Sequence, residues 1–317
     1  MFWLRLLIVL ALIGAALWLF GPREPADLEP VAGQPPEDLG GWLASRDAGA
    51  RDGAGSVLVQ GDGDLAIVYL HGFSASPAEM RPLPENLAAR LGAGLFVPRL
   101  TGHGVDGAAL GQARVADWWR DTADAVAVGQ RLGRRVVLVG TSTGATLAAE
   151  AARDPVLGPQ IDAVVMLSAN FRVRNRAAAL LRWPFARHWV PLVAGDERCF
   201  EPLHDAHAAG WTTCYPTVAA LPMAALVAHA ADGSYGAATQ PLLVIRDPRD
   251  AVVDPVAADR ALEDWAGPVT LHEVTVGQGD DPSAHVIAGD ALSPGMTQAI
   301  TETIADWVVE TLPPARK

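Results

Sequence analysis

The five residues Gly140-Thr141-Ser142-Thr143-Gly144 set a serine between two glycines, after the apolar run Arg135–Val139 and before the alanine-rich stretch Thr143–Arg153. A strand that turns sharply into a helix exposes such a hydroxyl above a sheet, and the crowded backbone there admits only glycine on either side. The N-terminus of the following helix favours negative charge beside the serine. This combination suits a nucleophile. A plain glycine-rich turn is the alternative reading of the same residues.

A serine hydroxyl needs a base, and the base needs an orienting carboxylate. Among the eight histidines, His285 lies in Asp281-Pro-Ser-Ala-His285, a loop between the last strand pattern and the final helix, where an imidazole can hang over a sheet edge. His71 and His103 sit beside glycines in turns. His188, His204, His207 and His229 fall in a long insertion, and His272 falls in a strand pattern. For the carboxylate, three acids follow the run Leu242–Ile245. Asp250 is the choice, because Asp254 precedes Pro255 as a helix cap and Asp247 comes too soon after the strand to reach far. A tetrahedral intermediate also requires hydrogen-bond donors. The backbone N–H of Phe73, in Leu70-His71-Gly72-Phe73-Ser74 after an early strand, and that of Thr143, directly after the serine, are the candidates.

The elements that must position these groups show in the periodicity. Short apolar runs suited to buried strands are 57–60, 65–70, 94–97, 135–139, 163–167, 242–245 and 269–274. Helical stretches separate most of the later ones. Val115–Leu132 puts Val115, Trp118, Trp119, Thr122 and Val126 on one face, Pro255–Trp265 starts behind Asp254, and Met296–Glu310 closes the chain. Such alternation predicts an α/β fold, a mostly parallel sheet with helices on both faces. Between Ala169 and Gln240 the alternation stops. Trp183, Phe185, Trp189, Phe200, Trp211 and Tyr215 intervene there, which reads as a cap over the carboxyl ends of the strands or, more blandly, as irregular packing.

Residues 1–21 form a membrane anchor or signal segment. Phe2 to Phe20 carry one charge, Arg5, and 19 helical residues reach ~28 Å, close to a hydrocarbon core. The run ends in Trp18-Leu19-Phe20 rather than in small residues, which favours a retained anchor over a cleaved, secreted form. Arg5 before the span and the acids Glu24, Asp27 and Glu29 after it orient the rest of the chain to the extracytoplasmic, periplasmic side. Residues 22–55 read as a linker with five prolines (Pro22, Pro25, Pro30, Pro35, Pro36) holding the domain off the bilayer, then a short helix within 38–48. The only cysteines, Cys199 and Cys214, either pair or remain ordinary buried thiols. A net charge of −12 argues against nucleic acid as a partner. No glycine-rich dinucleotide fingerprint follows the first strand, and His204, Asp205 and His207 read as solvated or core residues rather than metal ligands, so no cofactor is expected.

The motifs HGFSAS (71–76), PRLTGHG (98–104), GTSTG (140–144), DAVVDP (250–255) and HVIAGDALSP (285–294), in this order, resemble the α/β-hydrolase superfamily over roughly residues 56–312. The nearest resemblance is to bacterial carboxylesterases and monoacylglycerol-lipase-like proteins, a branch that includes serine aminopeptidase-like members. It implies the α/β-hydrolase fold with a cap insertion after the sixth strand, at about 170–240. It also implies an acyl-enzyme mechanism with Ser142 as nucleophile, His285 as base and then acid, and Asp250 orienting the imidazole. Small-molecule or lipid esters, with apolar acyl groups suited to an aromatic cap, are the expected substrates. Amide cleavage, acyl transfer and non-catalytic binding are the rivals.

Overall fold

A computed structural model describes residues 2–312. Its strands are β1 (Val57–Val59), β2 (Leu65–Leu70), β3 (Gly94–Val97), β4 (Arg135–Thr141), β5 (Ala163–Leu167), β6 (Glu197–Cys199), β7 (Cys214–Pro216), β8 (Leu242–Arg246) and β9 (Val269–Glu273). Seven of them form one sheet in the order β1-β3-β2-β4-β5-β8-β9, with β1 antiparallel and the rest parallel. β6 and β7 pair only with each other. The chain steps from β2 outward to β3 and then returns to β4 on the other side of β2. The loops that leave β2 and β4 therefore diverge, and a crevice opens between them at the carboxyl ends of the strands.

Buried residues alternate along each central strand between two cores. Ala66, Val68 and Leu70 of β2 face the layer of α5 (Val115–Leu132) and α6 (Thr143–Arg153), while Leu65, Ile67 and Tyr69 face the layer of α3 (Leu83–Leu91) and α11 (Pro294–Thr311). Helices thus cover both faces, and continuous apolar runs such as Leu65–Leu70 are buried at every position. The remaining helices are α1 (Phe2–Phe20), α2 (Leu39–Arg46), α4 (Gly107–Gln112), α7 (Ala186–Ala194), α8 (Asp205–Gly210), α9 (Ala220–Ala231) and α10 (Pro255–Ala261). α5 begins and ends where the pattern predicts, with Val115, Trp118, Trp119, Thr122 and Val126 buried.

Three features depart from the sequence reading. First, the long insertion leaves the sheet after its fifth strand, not a sixth, because one antiparallel strand alone, β1, precedes the parallel run. It contains α7, α8, α9 and the β6–β7 hairpin, across which Cys199 and Cys214 form a disulfide. Second, β9 reads as a buried strand but all five residues are exposed. It is the sheet's edge, and Val269 and Leu271 remain about half accessible. Third, the proline-rich segment lies along the domain instead of spacing it from a bilayer. Prolines exclude it from helix and strand, so its carbonyls stay available to side-chain donors on α5. Trp119 Nε1 donates to the Glu29 carbonyl (2.8 Å), Arg131 Nη1 donates to that of Pro36 (2.6 Å), and Leu28 and Val31 pack on the core. Arg187 of α7 forks onto Glu24 at 2.6 and 2.5 Å, and the Phe185 N–H donates to the Pro22 carbonyl (2.7 Å). The end of α1 is thereby held against the insertion, where the rings of Trp18 and Trp183 meet edge to face at 5.0 Å. α1 is long and apolar enough to cross a membrane, with a mean hydropathy of 2.3 and none of it buried.

Candidate active site

Ser142 stands at the turn from β4 into α6 with φ 53° and ψ −116°, a left-handed conformation that a serine adopts only when its surroundings impose it. They do so through the flanking glycines. A Cβ on Gly144 would meet the Leu70 carbonyl oxygen at 2.1 Å, and one on Gly140 would meet the Gly144 carbonyl oxygen at 2.4 Å. The Ser142 N–H donates to the Leu167 carbonyl of β5 (2.9 Å), which pins the turn to the neighbouring strand end. The strained elbow inferred from the glycine spacing is what the backbone adopts.

His285 sits in the loop between β9 and α11. Asp281 shapes that loop by accepting from the backbone N–H groups of Ser283 (2.9 Å), His285 (3.1 Å) and Val286 (2.8 Å). The imidazole Nδ1 lies 2.7 Å from Asp250 Oδ2, and Asp250 Oδ1 accepts from the N–H groups of Val252 (2.8 Å) and Val253 (2.9 Å). One carboxylate oxygen is thus spent on fixing its own turn and the other on the histidine. Burial alone disfavours the imidazolium, yet the hydrogen bond and charge of Asp250, with the charges of Glu79 and Asp281, outweigh it and raise the His285 pKa above its ordinary value.

The three acids after β8 separate cleanly. Asp247 is fully buried and accepts from Arg249 and from the Val276 N–H (2.8 Å). The Arg249 hydrogen bond holds its carboxyl down at about 2. Asp254 caps α10 through the Val256 N–H (3.1 Å) and pairs with Arg172. Neither contacts the imidazole in the described hydrogen bonds.

On the far side of the crevice, the turn after β2 approaches the elbow closely enough that a Cβ on Gly72 would stand 3.3 Å from Ser142 Cβ. Phe73 and Thr143 both face the cavity that Ser142 lines. His71 braces this turn. Its Nε2 accepts from the Leu100 N–H (3.1 Å), which leaves Nδ1 to donate to the Gly72 carbonyl (3.0 Å), and burial pushes its pKa well below the ordinary value. His103 packs edge-on to His71 at 5.0 Å, and burial holds its pKa down at about 4. Both remain neutral supports, as their positions beside glycines suggest.

Two buried partners escape the sequence reading. Glu79 accepts from the Gly72 N–H (2.8 Å) and contacts the Tyr69 hydroxyl (3.0 Å), which in turn lies 2.9 Å from Thr141 Oγ1. The side chains come from β2, β4 and the loop before α3, so neither period nor spacing connects them.

Ser142, His285, Phe73, Thr143 and Glu79 open onto one cavity of about 540 Å³. Its outer wall is supplied by the insertion, mainly Leu180, Leu181, Trp189, Val190, Val193 and Phe200, and is predominantly apolar. Among the described residues no group of three or more His, Cys, Asp or Glu is arranged to hold a metal ion.

The sequence model of the alpha/beta hydrolase family matches residues 67–315. The chain belongs to that family. Solved structures agree on the fold. One from work on LipS and LipT, two metagenome-derived lipolytic enzymes, is 23% identical with a TM-score of 0.66 and covers 82% of this chain and 99% of its own. The monoglyceride lipase of Saccharomyces cerevisiae is 12% identical with a TM-score of 0.59, covering 81% and 91%. The monoacylglycerol lipase of Paleococcus ferrophilus is 14% identical with a TM-score of 0.55, covering 81% and 98%. No curated protein sequence matches. At these identities the likeness is one of architecture.

Proposed function

We propose that this chain is a serine hydrolase of carboxylic esters that works through an acyl-enzyme on substrates with apolar acyl groups. One observation carries the reading: His285 Nδ1 lies 2.7 Å from Asp250 Oδ2 at the wall of an apolar cavity that Ser142 also lines. With Nδ1–H committed to the carboxylate, Nε2 is the basic nitrogen. Nε2 takes the Ser142 Oγ proton as Oγ bonds to the substrate carbonyl carbon, and the carbonyl electron pair moves onto its oxygen. The N–H groups of Phe73 and Thr143 donate hydrogen bonds to that oxygen and stabilise its charge. Collapse of the intermediate breaks the bond to the alkoxy oxygen, which leaves as alcohol with the proton from His285. Water then repeats the sequence on the acyl-enzyme, releasing the carboxylic acid and restoring Ser142.

The lipolytic names of the structural neighbours accord with an ester substrate, either a lipid or a small molecule. In this reading residues 170–240 act as the cap that selects the acyl group. α1 is the retained anchor, with the domain on the extracytoplasmic side; signal cleavage would give a secreted form instead. Support for a lipid-facing cap comes from Leu192 and Val193 of α7, which are 86% and 78% exposed on the element tied to the end of α1.

The test is hydrolysis of p-nitrophenyl esters of graded acyl length by the full chain in detergent, beside Ser142→Ala. Turnover with a chain-length optimum that Ser142→Ala abolishes supports the reading. Acyl transfer or amide cleavage without ester hydrolysis moves it to the rival chemistries, and an inert chain makes it a binding protein.

A further inference from the structure

The Glu79 carboxyl is 3% exposed, touches the candidate site and has no part in the mechanism above. Its Oε2 receives two donors from different directions. One is the N–H of Gly72, the residue before Phe73. The other contact is the Tyr69 hydroxyl, which bridges onward to Thr141 Oγ1, the residue before Ser142 and two before Thr143. Gly72-Phe73 lies just past the end of β2, and Thr141-Ser142-Thr143 runs from the last residue of β4 into the first of α6. Main-chain pairing between β2 and β4 reaches Leu70 and Gly140 and goes no further. Beyond that point Glu79 and Tyr69 bridge the two loops through buried side chains. The other Glu79 oxygen, Oε1, lies against Gly72, 2.7 Å from where a Cβ would stand, a position a longer residue at 72 would contest.

We propose that Glu79 is a positioning residue for acyl transfer: with Tyr69 it forms a buried strut that fixes the Phe73 and Thr143 N–H groups relative to each other. This rests on the reading of Phe73 and Thr143 as the donors to the developing oxyanion. The reason such a strut matters is geometric. Donors aimed at a charge that exists only in the transition state contribute only if they are fixed before it forms, and displacements on the order of 1 Å cost ~10²-fold. Burial pushes the Glu79 carboxyl up to about 7, against the opposing influence of the Gly72 N–H, the Tyr69 hydroxyl and His285.

The test compares the full-length wild type with Glu79→Ala, Glu79→Gln and Tyr69→Phe, reading kcat and KM for the preferred ester and amide hydrogen exchange of residues 71–76. Glu79→Ala should lower kcat ~10²-fold with KM within about twofold, and loosen the exchange protection of the loop. Glu79→Gln keeps an oxygen that can accept from Gly72 and Tyr69, so it should recover most of that loss. Tyr69→Phe should fall between the two. The proposal is overturned if Glu79→Ala raises KM at constant kcat, or if both Glu79 variants are equally impaired with an unmoved exchange pattern. Should Glu79→Ala fail to fold, Glu79→Gln and Tyr69→Phe carry the same decision. If the wild type hydrolyses no ester, the functional reading fails on its own, and the exchange measurement alone decides whether the strut exists.

Discussion

The crevice between the ends of β2 and β4 and the insertion between β5 and β8 build the two sides of one cavity by opposite means. In the crevice, polar groups are buried and committed. Ser142 is held at a positive φ by glycines that no larger residue can replace, Asp250 uses both oxygens, and His71 is fixed as one tautomer. The insertion is held mainly by apolar contacts, with one disulfide, the Arg187–Glu24 fork and a few main-chain ties such as the Thr212 N–H to the Ser74 carbonyl (2.7 Å), and it leaves Leu180, Trp183, Leu192 and Val193 substantially exposed. A rigid polar side suits the chemistry, which is lost with small displacements. A softer apolar side suits selection among acyl groups, where each methylene changes binding modestly.

Breaking the polar side should therefore cost far more than trimming the apolar one. The largest expected effect is from Asp250→Asn, which presents the wrong partner to Nδ1 and should lower kcat on the order of 10³–10⁴-fold in steady-state ester assays. Asp254→Asn should stay within about threefold, since asparagine still caps the helix through its Oδ1 and only the ion pair with Arg172 is lost. If Asp254→Asn were the more damaging, the carboxylate would be misassigned. On the apolar side, Trp189→Ala should lower kcat/KM ~10-fold for the preferred chain length while leaving the acetyl ester within about twofold, as a chain-length series would show. An equal loss for every ester would erase the distinction between the two sides.

Smaller effects separate stability from chemistry. Asp247→Asn should leave kcat nearly unchanged and lower the thermal midpoint. The Asp247 carboxyl titrates at about 2, below the ~4 of an unfolded chain, so its contribution is present above about pH 4 and lost as the pH falls toward 2. The destabilisation of Asp247→Asn relative to wild type, followed by thermal melts, should therefore shrink in that window. Smallest for chemistry is the Cys199→Ser/Cys214→Ser pair, which reopens a 15-residue separation. It should destabilise the insertion by ~3 kcal/mol or less and change the acetyl-ester rate little.

The polar side was largely legible because its signals are local. The glycines around Ser142 report steric crowding at a single turn, and the positions of Asp250 and His285 follow from which strand each one succeeds. Strand and helix limits were readable where apolar periodicity is strong, as in α5. What could not be read depends on contacts that no sequence period or turn pattern announces, even over short separations. Glu79 meets Gly72 and Tyr69 only once the crevice is folded, the Pro-rich segment docks because α5 carries donors at the right heights, and Cys199 meets Cys214 only because a hairpin forms. β9 reads as buried, and is not, because an edge strand can carry the same apolar residues as a central one.

The central claim is that Ser142 is a nucleophile activated by the His285–Asp250 pair. Its most direct test is reaction of the full chain with a fluorophosphonate, in which Ser142 Oγ bonds to phosphorus as fluoride leaves, read by intact mass and by the site of modification. One adduct is expected, at Ser142, formed much more slowly in Asp250→Asn and absent in Ser142→Ala. A folded wild type that forms no adduct, or one that Ser142→Ala forms equally well, would contradict it.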